Sequence, residues 1–379
     1  MADLGADVVK IEPVKGGEDG RRITPMWNGH SASFIAINRN KRSVCINLKT
    51  PKGLEIAKKL VDKADVVIEN FRRGVMANLK LDPETVMRRN PRLIYCSMSA
   101  YGEEGPDALK AGYDAVVQAK SGIMSVNGAN AGQLARVGIS PLDAGSGIWA
   151  ALAVTVALYE RKKTGRGQVV GTSLLETGVY WMNYHITSYQ ATHIPPAPEG
   201  TRIAAFAPYR AYNTKDGQVV VGVSNDGLFR RITAAVGKPE LASDTRFLHN
   251  AERVRNRDQL DEELEGVLKL NTSDHWIKTL EEVGVPCSKI QNVAQVMSDA
   301  QVKTLRLLKE TPYPGIPNLF LQTIPVRLAN HSLAVRFPAP LLGEHTKEVL
   351  EDLGLSKEEI EELVKGEIIG SEAESEANC

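Results

Sequence analysis

The sequence predicts an α/β chain in which a doubly wound, Rossmann-like large domain is joined to a smaller α+β domain. Three observations carry that expectation. Short continuous apolar runs alternate with helical patterns through the first half of the chain, the order a parallel sheet with covering helices produces. A run rich in proline, alanine and glycine, residues 195–200, then interrupts the pattern as a linker does. Beyond it, a hairpin pattern gives way to several helical segments. With 379 residues, 42% of them hydrophobic, the chain is long enough for a large core and two domains.

Taken in order, Val8–Glu12 (VVKIE) is a buried strand that leaves through Pro13 and the Gly16-Gly17 turn. Residues 43–48 form the next strand. Thr50-Pro51 is then a capping residue followed by proline in the first turn, and Leu54, Ile56, Ala57, Leu60 and Val61 mark the apolar stripe of a helix. Residues 65–69 are a strand with Asn70-Phe71 at its carboxyl end, where ligands sit in open α/β sheets. Residues 91–97 form another strand, ending in the loop around Tyr101. Residues 145–161 are an apolar helix, whose Gly145, Ser146, Gly147, Ala150, Ala151 and Ala153 would admit a second backbone closely; 169–174 is the strand after it. In the second domain, Thr214-Lys215-Asp216-Gly217 turns a hairpin between strands at 209–213 and 218–223. Helices follow near 226–236, 256–268 and 273–283, and again at 344–353 and 356–365. The expected boundaries are a large domain at 1–195, a linker at 196–204, a small domain at 205–305, a return linker at 306–340, C-terminal helices at 341–368 and a disordered tail at 369–379.

Composition removes several classes of function. Lys+Arg 46 balances Asp+Glu 46, so no global field draws nucleic acid or an anionic membrane surface. Lys162-Lys163 is a solvated helix end. Cys45, Cys96, Cys287 and Cys379 form no CxxC pair, which points to a reducing, intracellular compartment, cytoplasm or organelle matrix, rather than secretion. Cys96, inside an apolar run, is expected in the core. The seven histidines show no ligand spacing, so no metal is expected. No uninterrupted apolar run reaches the roughly 18 residues of a membrane span.

The stretch GYDAVVQAKSGIMSVNGANAGQLARVG, residues 112–138, is different in kind. A short helix at 114–119 leads into a turn-rich run of Asn127, Gly128, Asn130 and Gly132, small residues suited to a backbone that approaches a ligand. With ADLGADVVKIEP (2–13), NRNKRSVCINLKTPKG (38–53), ADVVIENFRRG (64–74) and PLLGEHTKEVLEDLG (340–354), it resembles the family III CoA-transferases, the group that also holds the α-methylacyl-CoA racemases. The resemblance is nearest to members that use dicarboxylates such as succinyl-CoA and glutarate. It implies coenzyme A or acyl-CoA as substrate, a carboxylic acid as second substrate, no metal, and a homodimer of two interlocked chains. It also implies that the family's first strand and most of its first helix lie outside this sequence, which opens at the end of that helix.

Residue by residue, the resemblance places CoA contacts at Ile46, Lys49, Asn70, Phe71, Val75, Asn78 and Tyr101. Lys49 would meet a phosphate, Ile46 would wall the nucleotide pocket, and Phe71 would cover a ring face. Ser99 and Asn78 are neutral where some members carry lysine and arginine. The family's reaction uses an aspartate that attacks the thioester and forms a mixed anhydride while CoA thiolate leaves, with glycine amides stabilising the oxyanion. The family pattern TG-x-x-D-G-P-P-x-R-x-G aligns without a gap on residues 127–138 and puts Ala131 at the aspartate position. Alanine forms no anhydride. Asp114, Asp143 and Glu104 remain as other carboxylates. In the racemase branch a histidine and an aspartate move the α-proton, and the matching positions are Tyr113 and Asp143. Asp143 also suits an N-cap of the following helix, as Asp114 suits a cap. Arg136 and Arg202 are candidates to pair with a substrate's second carboxylate or to act structurally. The sequence therefore predicts a CoA-transferase, with an acyl-CoA racemase or isomerase using Asp143, or a catalytically silent CoA-binding protein, as alternatives.

Overall fold

In the computed structural model, residues 1–330 and 333–370 are described. Their contacts group into two compact units: Met1–Ala111 with Gly145–Ser173 and the chain from Met297 on, and Gly112–Ala144 with Leu174–Val296.

In the first unit the strands fall into two three-stranded sheets. Val8–Glu12 pairs in parallel with Lys41–Ile46, whose other edge takes Ile369–Gly370 antiparallel. Val66–Glu69, Ile94–Ser99 and Val169–Ser173 form a wholly parallel sheet. The second strand starts two residues before its expected limit, because Lys41 and Arg42 are drawn into register opposite Val8 and Val9. Arg42 is satisfied there by Asp7, Glu348 and Asp352. Ile369–Gly370, expected in the tail, is a strand instead; the remainder of that tail, 371–379, lies outside the described residues.

Capping and close approach fix the helices. Thr50 accepts the Gly53 amide at 3.1 Å, with Pro51 opening the Pro51–Lys63 helix. A Cβ on Gly53 would stand 2.2 Å from the Asn47 carbonyl oxygen, so that turn admits only glycine. Asp82 caps Pro83–Arg89 through the Thr85 amide. Both helices bury Ala57, Val61 and Val86 with Leu93 and Tyr95. On the opposite side of the Ile94–Ser99 strand, Ile94 and Cys96 pack with Ala150, Val154 and Ala157 of the 24-residue Pro141–Thr164 helix. This alternation covers the parallel sheet on both faces. By length and composition alone that helix is apolar enough to cross a membrane, although no uninterrupted apolar run in it reaches 18 residues. The C-terminal helices Thr346–Asp352 and Lys357–Lys365 bury Val349, Leu350, Ile360 and Leu363 against Val44 and Ile46. A capping box of Ser356 and Glu359 starts the second of them.

The first sheet also encloses an ion pair. Glu12, 1% exposed, receives Arg21 through two nitrogens at 2.7 Å and the Ser43 hydroxyl at 2.7 Å. Burial pushes the Glu12 carboxyl upward, but the Arg21 hydrogen bonds and charge, the Ser43 hydroxyl and the Glu18 amide more than offset it and hold the group below the usual range.

The second unit is built on an antiparallel sheet, Tyr209–Asn213, Gln218–Gly222 and Cys287–Lys289. The hairpin turn lies where its sequence places it, and Asp216 fastens it to Ser273. Helices Asp226–Ala235, Arg257–Leu268 and Ser273–Glu282 supply Phe229, Ile232, Leu260, Leu264, Trp276 and Leu280 to one core with Tyr212, Val219 and Val221. Arg253, fully buried, binds the carbonyls of Ala207 and Phe247 and the Asp226 carboxylate.

Candidate active site

In the first unit, the residues expected to meet CoA follow the carboxyl ends of two neighbouring parallel strands. Asn70 and Phe71 come directly after Val66–Glu69, and Phe71 is 51% exposed. Gly74, at φ 89°, turns the chain into the Val75–Asn78 helix, where Val75 is half-buried and Asn78 exposed. Tyr101 follows Ile94–Ser99 and is half-buried. Leu48, beside Lys49, packs against the buried cluster of Ala57, Val61, Val86, Leu93 and Tyr95, as do Met76 and Leu79 of the small helix. Ile46 is the exception. It is 1% exposed, paired with Ile369 and enclosed among Val44, Leu350 and Leu363, so it belongs to the core rather than to an open wall.

Three residues that sequence reasoning missed hold this strand end in place. The Ser97 hydroxyl lies 2.7 Å from Glu69 Oε1 and 2.9 Å from Glu103 Oε1, while Glu69 Oε2 accepts the Phe71 amide at 2.8 Å. Glu69 thereby ties the Asn70-Phe71 loop, and Glu103 the Tyr101 loop, to the strands that carry them. Glu69 in VVIENF was the available signal, a carboxylate ending an apolar strand. Ser99 takes the Gly102 amide at 2.9 Å and so forms a turn, and Glu104 is exposed.

In the second unit, the 112–144 stretch is more ordered than its composition predicts. Residues 128–134 form a two-stranded hairpin, Gly128–Asn130 against Gln133–Leu134, with Ala131 and Gly132 as its exposed tip. Asn130 Oδ1 accepts the Gly132 amide at 2.9 Å. A Cβ on Gly128, at φ 142°, would meet the Gln133 carbonyl oxygen at 2.1 Å, so the hairpin requires glycine there. Asn127 bonds Ala135, and the Gly200 amide bonds the Gly128 carbonyl.

Asp114 is 6% exposed. Its Oδ2 accepts the amides of Leu142 at 2.8 Å and Asp143 at 3.0 Å, and its Oδ1 accepts Gln118 Nε2 at 2.5 Å. Gln118 in turn takes the Val137 amide at 2.9 Å. Asp114 therefore caps the Pro141–Thr164 helix from another element, and Asp143, expected as its N-cap, lies inside the first turn with a carboxyl at the surface. Partial burial, then the Asp114 charge, raises the Asp143 carboxyl above its ordinary range. Tyr113 is 82% exposed and its side chain caps nothing. Arg136 folds onto the Val137 and Gly138 carbonyls, and Arg202 is held by Asp258 at 2.9 Å and Asp261 at 2.6 Å. Both guanidinium groups have internal partners, which favours the structural role for each.

Chemically, the first unit offers an exposed aromatic face, amide groups and loop cations, a set able to hold a nucleotide. The second offers one carboxyl of raised proton affinity and a hairpin tip with glycine amides. Among the described residues, no three His, Cys, Asp or Glu side chains converge as metal ligands.

Comparison with known proteins agrees on one group. Residues 1–346 match the family described as CoA-transferase family III. The chain is 33% identical over 354 residues to a Homo sapiens protein named succinyl-CoA:glutarate CoA-transferase, covering 93% of this chain and 81% of that one. It is 35% identical over 367 residues to the succinate–glutarate CoA-transferase of Agrobacterium fabrum, covering 93% and 90%. The crystal structure of a CAIB/BAIF family protein from Brucella suis superposes with a TM-score of 0.83 at 33% identity, covering 93% of each chain.

Proposed function

This chain belongs to CoA-transferase family III, and from that premise we propose that it moves CoA between an acyl-CoA and a dicarboxylic acid, with the covalent step limited by Ala131. Two relatives act, by their names, on succinyl-CoA or succinate and on glutarate, which supports the dicarboxylate class. The observation that carries the reading is the strand end that presents Asn70, Phe71 and Tyr101, braced by Glu69, Ser97 and Glu103. It suits the ring, phosphates and amides of CoA.

In the covalent step a carboxylate oxygen bonds to the thioester carbonyl carbon, the C–S bond breaks and the pair of electrons leaves with CoA thiolate. The thiolate then attacks the enzyme-side carbonyl of the resulting anhydride, which releases the donor acid and leaves an enzyme–CoA thioester; the acceptor carboxylate displaces the thiolate to form a second anhydride, and thiolate attack on its acceptor carbonyl makes the new acyl-CoA and frees the enzyme carboxylate. Only an anionic oxygen at the hairpin tip does this; a methyl group does not. The Gly132 amide at the tip is held by Asn130 Oδ1, and it would have to leave that partner to meet a developing oxyanion.

The test is CoA transfer from succinyl-CoA to a panel of mono- and dicarboxylic acids by the wild-type chain and Ala131→Asp. Transfer should rise by about 10³ or more in the aspartate form, the usual scale for restoring a covalent nucleophile. Equal rates in both forms would place the nucleophile elsewhere. A second reading, epimerisation at the α-carbon, is favoured by the raised Asp143 carboxyl. It predicts α-hydrogen exchange with deuterated water that Asp143→Asn abolishes, without any transfer to an added acid.

A further inference from the structure

Gln118 is fully buried, and both ends of its side-chain amide are engaged. It lies one turn after Asp114 on the Asp114–Lys120 helix. Its Nε2 donates to Asp114 Oδ1 at 2.5 Å, and its Oε1 accepts the Val137 amide at 2.9 Å. A carboxylate on one side and an N–H on the other fix which end of the glutamine faces which partner. Asp114 in turn accepts the Leu142 and Asp143 amides. A buried polar group left without its partner costs more than the bond itself contributes, so the chain from the helix start through Asp114 and Gln118 to Val137 holds together as a unit.

Both ends of that chain are anchored. A Cβ on Gly178 would stand 2.5 Å from the Ser121 Cβ, so the Leu174–Trp181 helix packs directly on the end of the short helix that carries Gln118. At the other end, Val137 lies two residues beyond Ala135, whose amide and carbonyl both bond Asn127 at 2.9 Å and close the base of the 128–134 hairpin. The first leg of the hairpin is tied separately, by the Gly200 amide on the Gly128 carbonyl at 2.9 Å. Ala131 therefore stands on two legs, and Gln118 holds the second.

We propose that Gln118 is a positioning residue for the transfer reaction: by fastening the second leg of the hairpin to Asp114, it sets where the hairpin tip stands, and with it the carboxylate that Ala131→Asp supplies. The inference rests on the CoA-transferase reading above. Buried as it is, Gln118 touches no acyl group and acts through the hairpin alone. A reacting atom misplaced by about 1 Å can lose about 10²-fold in rate. Alignment suffers from that displacement, and substrate binding does not.

The experiment places Gln118→Met, Gln118→Glu and the double exchange Asp114→Asn with Gln118→Glu in the full chain carrying Ala131→Asp. Methionine keeps the bulk and loses both bonds, while glutamate sets a second carboxylate against Asp114. In the double exchange the new amide at 114 keeps an oxygen for the Leu142 and Asp143 amides and turns its NH2 to the new carboxylate at 118, which still accepts the Val137 amide. That rebuilds the chain with its polarity reversed. Two quantities are read: CoA transfer from succinyl-CoA, and hydrogen exchange at the Ala135 amide, which bonds Asn127 and not Gln118. Each single variant should lower kcat by about 10²-fold with KM nearly unchanged, and should speed exchange at Ala135. The double exchange should recover most of both, and circular dichroism checks that every variant keeps its fold. Single variants that retain kcat and the protection of Ala135 would show a glutamine that only fills space and overturn this inference alone, as would a double exchange that recovers neither. An Ala131→Asp chain that transfers CoA to no acid would overturn the CoA-transferase reading together with it.

Discussion

Asp114 and Asp143 share one helix start, and the order of their roles decides what each can do. Asp114 receives the two amides that open the Pro141–Thr164 helix, so Asp114→Ala should cost about 1–2 kcal/mol, as loss of a cap does, measured by urea unfolding. Asp143 has its carboxyl raised by partial burial and by Asp114. For a carboxyl raised on folding, the stabilising contribution is complete below its ordinary value of 3.8 and is lost as pH climbs through the folded value. Asp143→Asn should therefore stabilise the chain at neutral pH. Asp114→Asn should lower the Asp143 pKa in a carboxyl-resolved NMR titration; an unchanged titration would show that Asp114 exerts no charge effect there. The sequence showed both aspartates as cap candidates but could not order them, because the bonds join residues in different elements. Ala131 was legible as a departure from the family pattern. That it stands at a hairpin tip was not, since Asn127, Gly128, Asn130 and Gly132 are turn formers and the contact that orders them comes from Gly200.

At the level of elements, the strands of the first unit were readable because buried parallel strands need continuous apolar runs. Their limits moved where pairing overrode polarity, as with Lys41 and Arg42 opposite Val8 and Val9. The Glu12–Arg21 pair across the first sheet left no trace in the apolar pattern, though it joins Val8–Glu12 to Ser43 of the next strand. Glu12→Gln should destabilise by about 3–5 kcal/mol, because Arg21 is left without its buried counter-charge. The folded pKa of Glu12 lies below its ordinary 4.5, so the pair's contribution is present above that value and lost as pH falls through the folded one. Urea unfolding from pH 7 to pH 3 should show the wild-type advantage over Glu12→Gln shrinking. A constant difference would mean that the pair does not titrate with folding. The Ser97 contact with Glu69 and Glu103 was likewise hidden, since nothing in sequence spacing marks a strand-end carboxylate and a loop carboxylate that meet at one hydroxyl.

For the molecule as a whole, the unfinished surface is the outer side of the Pro141–Thr164 helix. Ile148, Leu152, Val156 and Tyr159 recur at helical spacing and are 66%, 51%, 56% and 63% exposed, while Ala150, Val154 and Ala157 on the other side are buried. A stripe of that kind is expected to be covered by a partner. The resemblance of the sequence to interlocked homodimers makes a second copy the proposed cover. Leu152→Glu with Val156→Glu should shift sedimentation from dimer toward monomer. A wild-type chain that sediments as a monomer would contradict the proposal. Of the small residues that announced close packing in the sequence, Ala150 is buried against the parallel sheet, while Gly147 is exposed.

The most direct measurement of the central claim, that a carboxylate is missing from an otherwise competent CoA-transferase hairpin, is mass spectrometry of the chain after one exposure to succinyl-CoA, with hydroxylamine added to trap an acyl-enzyme anhydride. Ala131→Asp should acquire a modification at residue 131 and release one equivalent of free CoA, while the wild type acquires none. An equal adduct on both forms at another residue, or an aspartate form that binds CoA yet never becomes modified, would contradict the account.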